Sequence, residues 1–414
     1  MSTMSKRNSP ATLILLLGVL FFLAWRVISL GMADHLAKDS PEKALTWRSD
    51  HPAALGRSAE LALDAKDWAK ARQDAVAALA SNTLDGRPLR ILALVSAHDG
   101  KQAKARQLML DAATQSPRDW QAQLWLLEDA LRRKQAADAA NRIDSLLRIK
   151  PELMTAMLPQ VMVLAVNPQA QNALLERLAQ DPPWRRHLLN GLAASQYPMN
   201  QILPVFLNLN EKSKLDASEY LPLLNRLNKE NRFDQAYLTW ANLIPAEQRK
   251  YLGNVFDGGF ELPIEEQIGD FAWVVQELDG AEVQFMSTDG SVGEGSYYVD
   301  FDDRRIPFAH LNQLLVLPPG QWQMSYSAKA GQLKNPLGLV WRVTCQTDGR
   351  ILAQSEAMKG QFNWKSMAFD FEVPAGCWGQ KLTLMIPARI PSQTEISGSL
   401  WLDQVEIQRV EKEL

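Results

Sequence analysis

The first pattern along the chain is a continuous apolar run. Ala11 to Trp25 carries no charge, and Val27 to Ala33 extends the run beyond Arg26. About 23 residues are enough for a helix to cross a bilayer core of roughly 30 Å. Lys6 and Arg7 precede the run, and no acidic residue occurs before Asp34. That asymmetry predicts a cytoplasmic tail over 1–10, an anchor over 11–33, and everything from 34 onward across the membrane. Trp25 and Arg26 fall where an interface aromatic and a snorkelling stem belong. A cleaved signal peptide is the alternative, with Ala11 to Trp25 as its apolar core and Ser29-Leu30-Gly31 as small residues at a cleavage site.

The second pattern is helical and periodic. Asp67-Trp68-Ala69-Lys70-Ala71 recurs as Lys101-Gln102-Ala103-Lys104-Ala105 and as Gln135-Ala136-Ala137-Asp138-Ala139. Ala71, Ala105 and Ala139 are 34 residues apart, as are Pro117 and Pro151. Small residues there let two helices approach closely. Ala75, Met109 and Ile143 lie four positions on, on the same helical face, and Ala78, Ala112 and Leu146 continue it. Asp99-Gly100 predicts a turn inside one hairpin, and Pro117 and Pro151 end second helices.

A 34-residue unit of helix, turn and helix resembles the tetratricopeptide-repeat family. The departures are plain. Leu55, Leu89 and Gln123 stand where that family has a large aromatic, and Ala59, Ala93 and Leu127 stand where it has glycine. The resemblance implies a helical solenoid over 34–255, serving as a packing scaffold or as a partner-binding concave face. From 156 to 252 the period drifts. Asn231 to Ala236 predicts one more inter-helix turn and helix start, with Trp240 one turn on, while Pro182-Pro183 and Pro204 interrupt. Arg132-Arg133-Lys134 and Trp184-Arg185-Arg186-His187 read as solvated helix ends or as partner patches.

After Asn254 the period changes to two. Trp322, Met324, Tyr326 and Ala328 face one way and Gln321, Gln323, Ser325 and Ser327 the other, a half-buried strand. Leu339, Trp341, Val343 and Cys345 form a second inward set, and Trp401, Val405 and Ile407 a third. Pro318-Pro319-Gly320 predicts a turn. Short strands with such turns predict an antiparallel β-sandwich or jelly roll over 256–414.

Composition narrows the chemistry. A net charge of −3 gives no basic face for nucleic acid. Five histidines, two cysteines and no CxxC or HExxH leave no zinc site of known spacing, and no phosphate-binding glycine loop or GxSxG occurs. Asp300 to Asp303 is the one acidic cluster of the sandwich and reads as a loop before Arg304-Arg305, so no enzyme is expected. Cys345 and Cys377, both on the exported side, are expected to pair, stabilising by roughly 3–4 kcal/mol in the chain-entropy view. Two separate buried thiols are the alternative.

Phe256-Asp257-Gly258-Gly259-Phe260-Glu261, followed by Trp273, resembles the opening of carbohydrate-binding-module-like, galactose-binding-type jelly rolls. Gly398 to Ile407 resembles their closing strand. The resemblance implies that first and last strands are neighbours and that Glu261 and Asp403 help hold a structural calcium; a hydrogen-bonded pair at the seam is the alternative. It also implies glycan stacking on exposed aromatics, for which Trp364, Trp378, Tyr297 and Tyr298 are candidates, with only one of the two tyrosines facing outward. The whole arrangement resembles accessory proteins of bacterial exopolysaccharide gene clusters. That implies a single-pass inner-membrane protein with its bulk in the periplasm, a non-enzymatic scaffold whose helices bind envelope or polysaccharide-assembly proteins. A carbohydrate-binding protein, and less so a glycan-modifying enzyme, are the competing readings.

Overall fold

The computed structural model describes residues 10–276 and 278–410. Lys6 and Arg7, on which the predicted orientation rests, lie outside the described residues. The described residues divide into two compact units, the first running to Leu178 with Pro182–Trp184, the second holding Ala179–Asp181 and everything from Arg185 onward.

The first unit is helical. Helix α1 (Pro10–Leu36) includes Ile14–Leu36, long and apolar enough to span a membrane or to serve as a signal sequence. Its side chains from Ile14 to Ile28 are exposed, but Ser29, Ala33 and Ala37 are buried. That last part is fastened to the rest of the unit. Ser29 Oγ donates to the Trp47 carbonyl at the end of α2 (Pro41–Trp47), and Asp34 meets His51 Nε2 at 2.7 Å.

Three hairpins follow: α3 (Pro52–Asp64) with α4 (Trp68–Ser81), α5 (Gly86–His98) with α6 (Gln102–Gln115), and α7 (Trp120–Arg132) with α8 (Ala136–Ile149). Each first helix ends the same way. The residue in the left-handed region is Lys66, Gly100 and Lys134, and the next N–H returns to the carbonyl of Ala62, Ser96 and Ala130. That is the Schellman closure, and it supplies the 34-residue period with a backbone cause. Asp67, Asp85 and Asp119 cap helix N-termini with their carboxylates. The repeat alanines Ala71, Ala105 and Ala139 are fully buried, as are Met109 and Ile143 one turn on. Helices α9 (Met154–Val166) and α10 (Pro168–Leu178) complete the unit.

The second unit begins with α11 (Arg185–Ala194), α12 (Met199–Lys212), α13 (Ala217–Lys229) and α14 (Phe233–Leu243). Pro204 does not stop α12; it is carried inside the helix. Asn231 takes the left-handed turn before α14, as expected. These helices belong with the sandwich. Fully buried Trp240 donates Nε1 to the Ile268 carbonyl and packs edge-on against Phe256, 5.0 Å between ring centres.

The sandwich has two antiparallel five-stranded sheets. One runs β1 (Val274–Val275), β4 (Leu311–Leu315), β9 (Gln380–Met385), β6 (Val340–Cys345), β7 (Ile351–Gln354). The other runs β2 (Ala281–Phe285), β3 (Tyr297–Arg305), β10 (Glu395–Arg409), β5 (Gly320–Lys334), β8 (Gly360–Val373). Trp322, Met324, Tyr326 and Ala328 of β5 and Leu339, Trp341, Val343 and Cys345 form the core between them, as their alternation requires. The inward set proposed for β10 needs correction. Val405 and Ile407 are buried, but Trp401 faces outward. A bulge between Asp403 and Glu406, with Gln404 in the left-handed region, adds a residue and reverses the parity. The Asp300–Asp303 loop is also corrected. It is part of β3, with Arg304 paired to Asp279 and Arg305 to Glu395.

Candidate functional site

The opening segment of the sandwich lies along β10 without being one of its ladder strands. Asn254 Nδ2 donates to the Ile407 carbonyl, and Val405 N–H to the Gly258 carbonyl. The first and last strands are not neighbours as the family resemblance implied: β1 pairs with β4 in one sheet and β10 lies between β3 and β5 in the other, so only the segment leading into the sandwich meets β10. Glu261 and Asp403 both reach the turn before β3. Val292 N–H donates to Asp403 Oδ2 at 2.7 Å, Gln404 N–H to its Oδ1 at 2.6 Å, and Glu294 N–H to Glu261 Oε2 at 3.0 Å. Gly293, with φ of +80°, makes the approach feasible, since a Cβ there would collide with the Glu261 carboxylate. Backbone amides thus offset the two anions. Burial pushes the Asp403 carboxyl upward in spite of these donors, and the nearby Glu261 adds to the rise.

Asp257 organises the same seam and was missed as a site residue. It is 2% exposed and accepts from the N–H groups of Glu261 and Leu262 and from Gln267 Nε2 at 2.6 Å. Burial outweighs these donors and pushes its carboxyl up to about 6. The folded state therefore holds a proton that the unfolded chain has already released above its ordinary value near 4. Stability from this group is present below about pH 4 and is lost as pH rises to about 6, by about 3 kcal/mol for a gap of about two units. We expect the stability of wild type minus that of Asp257→Asn, read from hydrogen-exchange protection of β10 amides from pH 4 to 7, to show that decline. Parallel curves for the two proteins would refute it.

The predicted aromatics separate. Tyr297 is not available to a ligand: it is fully buried against Phe260 and Phe285, and burial pushes its phenol far up. Tyr298 faces outward, and its register partner on β10 is Trp401, with ring centres 4.9 Å apart. Trp401 is in turn opposite Lys329, whose ammonium lies 5.0 Å from the indole centre. Gln284 lies beyond Tyr298 on β2. The next row carries Glu282 and Asp300, with Ser399 buried beside them against Gly331. An aromatic row beside carboxylate and amide groups suits a pyranose, with its apolar face on the rings and its hydroxyls on the polar groups. Alternation alone hid Trp401 behind the bulge.

Trp364 is half-buried on β8. Its Nε1 donates to the Asp289 carbonyl, and its ring packs on Gly290, so it fastens the loop before β3. Trp378 is 60% exposed. The two cysteines form the expected disulfide, Cys345–Cys377, with Cα atoms 5.7 Å apart. Within the charged runs, Arg132 and Arg133 pair with Asp129, and Arg185 is buried against Glu219.

In the first unit, α3, α5 and α7 line a groove of about 560 Å³. Leu63, Leu94, Met109, Leu124, Trp120 and Trp125 supply apolar surface. Arg90 is neutralised by Glu60 and Asp119. Asp64 and Glu128 also line the groove and make no ion pair among the described residues.

No protein-family model matches this chain, and no curated protein matches it. Among solved structures it is similar to a CBM4 module at 17% identity, covering 38% of this chain and 99% of that one, with a TM-score of 0.28. It is similar to the CBM22-1 xylan-binding domain of Paenibacillus barcinonensis Xyn10C at 14% identity, 38% and 94% coverage and a TM-score of 0.27. PilF of Pseudomonas aeruginosa is similar at 16% identity, covering 52% of this chain and 93% of that one, with a TM-score of 0.27.

Proposed function

We propose that this chain is a non-enzymatic, membrane-anchored envelope scaffold in exopolysaccharide assembly or export. Its helical unit holds a protein partner. The observation that carries this reading is the groove to which the first helices of three successive hairpins each contribute. Its apolar surface, with Asp64 and Glu128 unpaired among the described residues, suits an extended segment carrying apolar and cationic side chains. The attachment of α1 through Ser29, Ala33 and Asp34 favours a retained anchor, because cleavage near Gly31 would cut a helix that is packed on its own domain. The bulk of the chain then lies in the periplasm.

A second reading, carbohydrate binding by the sandwich, is favoured by the Tyr298–Trp401–Lys329 row. One experiment separates the two. The full chain is recovered from membranes in mild detergent, and co-purifying protein and polysaccharide are measured. Leu124→Glu is expected to release polysaccharide-assembly proteins and Trp401→Ala to release glycan. Unchanged recovery of both in both variants would overturn the two surfaces together.

Structural calcium at Glu261 and Asp403 belongs to the same family-based reading. The ion would need at least four more oxygens, and among the described residues no third metal-binding side chain joins the pair. Melting the chain in calcium and in chelator tests it. A bound ion at a hundredfold excess over Kd would stabilise by about 2.7 kcal/mol, whereas a seam offset by amides alone gives one midpoint in both.

A further inference from the structure

Within the second unit, α13 and α14 and the turn between them line an open cleft of about 370 Å³ against β4, β9 and the residues after β6. Its lining is more polar than packing requires. Asn312, 5% exposed, has a carboxamide that makes no hydrogen bond among the described residues. Asn228 donates Nδ2 to Asp270 at 3.0 Å, but its Oδ1 is buried without a partner. A buried amide oxygen left unanswered, as at Asn228, is uncommon in folded proteins and calls for a partner. Lys229 and Lys381 add two ammonium groups, neither in an ion pair among the described residues. Against the one Asp270 carboxylate they leave the cavity with a positive charge. Phe233 supplies an apolar wall.

The wall and the rim are held in place. A Cβ at Gly379 would lie 2.6 Å from the Phe233 ring, so the backbone runs directly against it. Gln346 N–H donates to the Gly379 carbonyl at 2.8 Å, and Trp378 N–H donates to Thr347 Oγ1 at 3.1 Å. The Cys345–Cys377 disulfide immediately precedes both Gln346 and Trp378. It therefore fixes a cavity-lining amide and an exposed indole beside each other.

We propose that this cavity binds a carboxylated sugar residue, a hexuronate unit of an acidic polysaccharide. Hydroxyls answer the carboxamides of Asn228 and Asn312, the C–H face of the ring lies on Phe233, and the carboxylate meets Lys229 and Lys381. The volume falls in the range of small-ligand sites, roughly 300–1,000 Å³. The site is separate from the outer face of Tyr298 and Trp401 and does not rest on that reading.

Calorimetric titration of the full chain in mild detergent tests it, with sodium glucuronate, glucose and sodium acetate as probes. Glucuronate is expected to bind with a roughly millimolar Kd, as suits a ligand of that size. Glucose and acetate should each bind at least about tenfold more weakly, lacking one half of the recognition. Lys229→Ala with Lys381→Ala should bring glucuronate down to the level of glucose, and a melting curve checks that the variant is folded. Lys104→Ala, at an exposed lysine of the first unit, should leave the titration unchanged. No heat with glucuronate, acetate binding as tightly as glucuronate, or unaltered binding in the double-lysine variant would each overturn the proposal. Loss of binding in Trp401→Ala would overturn it too, by moving the ligand to the outer face.

Discussion

Trp240→Ala is expected to destabilise the second unit by about 3–5 kcal/mol, the range for emptying the site of a large buried aromatic. The indole is completely buried. Besides its edge-on contact with Phe256, it lies 5.7 Å from Phe271 and 5.9 Å from Tyr237. Truncation removes all three aromatic contacts and leaves the Ile268 carbonyl without the Nε1 donor. The surroundings are close on this side, since even a Cβ added at Gly269 would lie 3.3 Å from the indole ring. Trp240→Phe should recover part of the loss by refilling the space, but not the hydrogen bond. Trp378→Ala, at an exposed indole, should change stability by less than about 0.5 kcal/mol. Because the chain has two units, a single global unfolding curve is not expected to be two-state. Hydrogen exchange at β10 and α13 amides reads the second unit directly. Equal protection in Trp240→Ala and wild type would show that the helices and sandwich are not stabilised through this ring.

The order helix, repeat, sandwich was legible because each region has its own hydrophobic period. The repeat alanines and the inward sets of β5 and β6 face the core as their spacing demands. What was not legible has specific causes. Trp401 was assigned inward because alternation counts residues and cannot see the bulge at Asp403–Glu406. Asp300 to Asp303 read as a loop because acidic residues are poor strand formers in isolation. In β3, Asp300 and Phe301 have register partners on β2 and β10, and Arg304 and Arg305 pair with Asp279 and Glu395. Asp257 drew no notice beyond its place in a motif, since nothing local marks a carboxylate for burial. The packing of α13 and α14 with the sandwich was also hidden. Periodicity identifies a buried face, as at Trp240, but does not say what buries it. The cavity lined by Asn228, Asn312 and Lys381 draws residues from α13, β4 and β9, and only the fold brings them together.

Arg185→Ala is expected to cost about 3–5 kcal/mol, the range for breaking a buried ion pair from one side. Arg185 opens α11 and Glu219 lies in the first turn of α13; their side chains are 5% and 3% exposed. The contact is bidentate, Nε to Oε1 and Nη2 to Oε2, each at 2.6 Å. The guanidinium also donates to Ser213 Oγ and to the Lys214 carbonyl, in the turn between α12 and α13. One side chain therefore joins three helices. The carboxylate's hydrogen bonds hold the guanidinium above even its ordinary high range. Removing Arg185 strands the Glu219 charge in a dry site, where the Asp216 N–H still donates to it at 3.1 Å. Arg185→Lys should recover only part of the loss, because an ammonium cannot form the fork. Arg185→Met with Glu219→Leu should cost less than Arg185→Ala alone, since no charge is then left buried, although the α13 capping box is lost with Glu219. The comparison is read from exchange protection of α11 and α13 amides. If the double variant is the less stable, the pair contributes more through direct attraction than its desolvation costs, and the argument from a stranded charge fails.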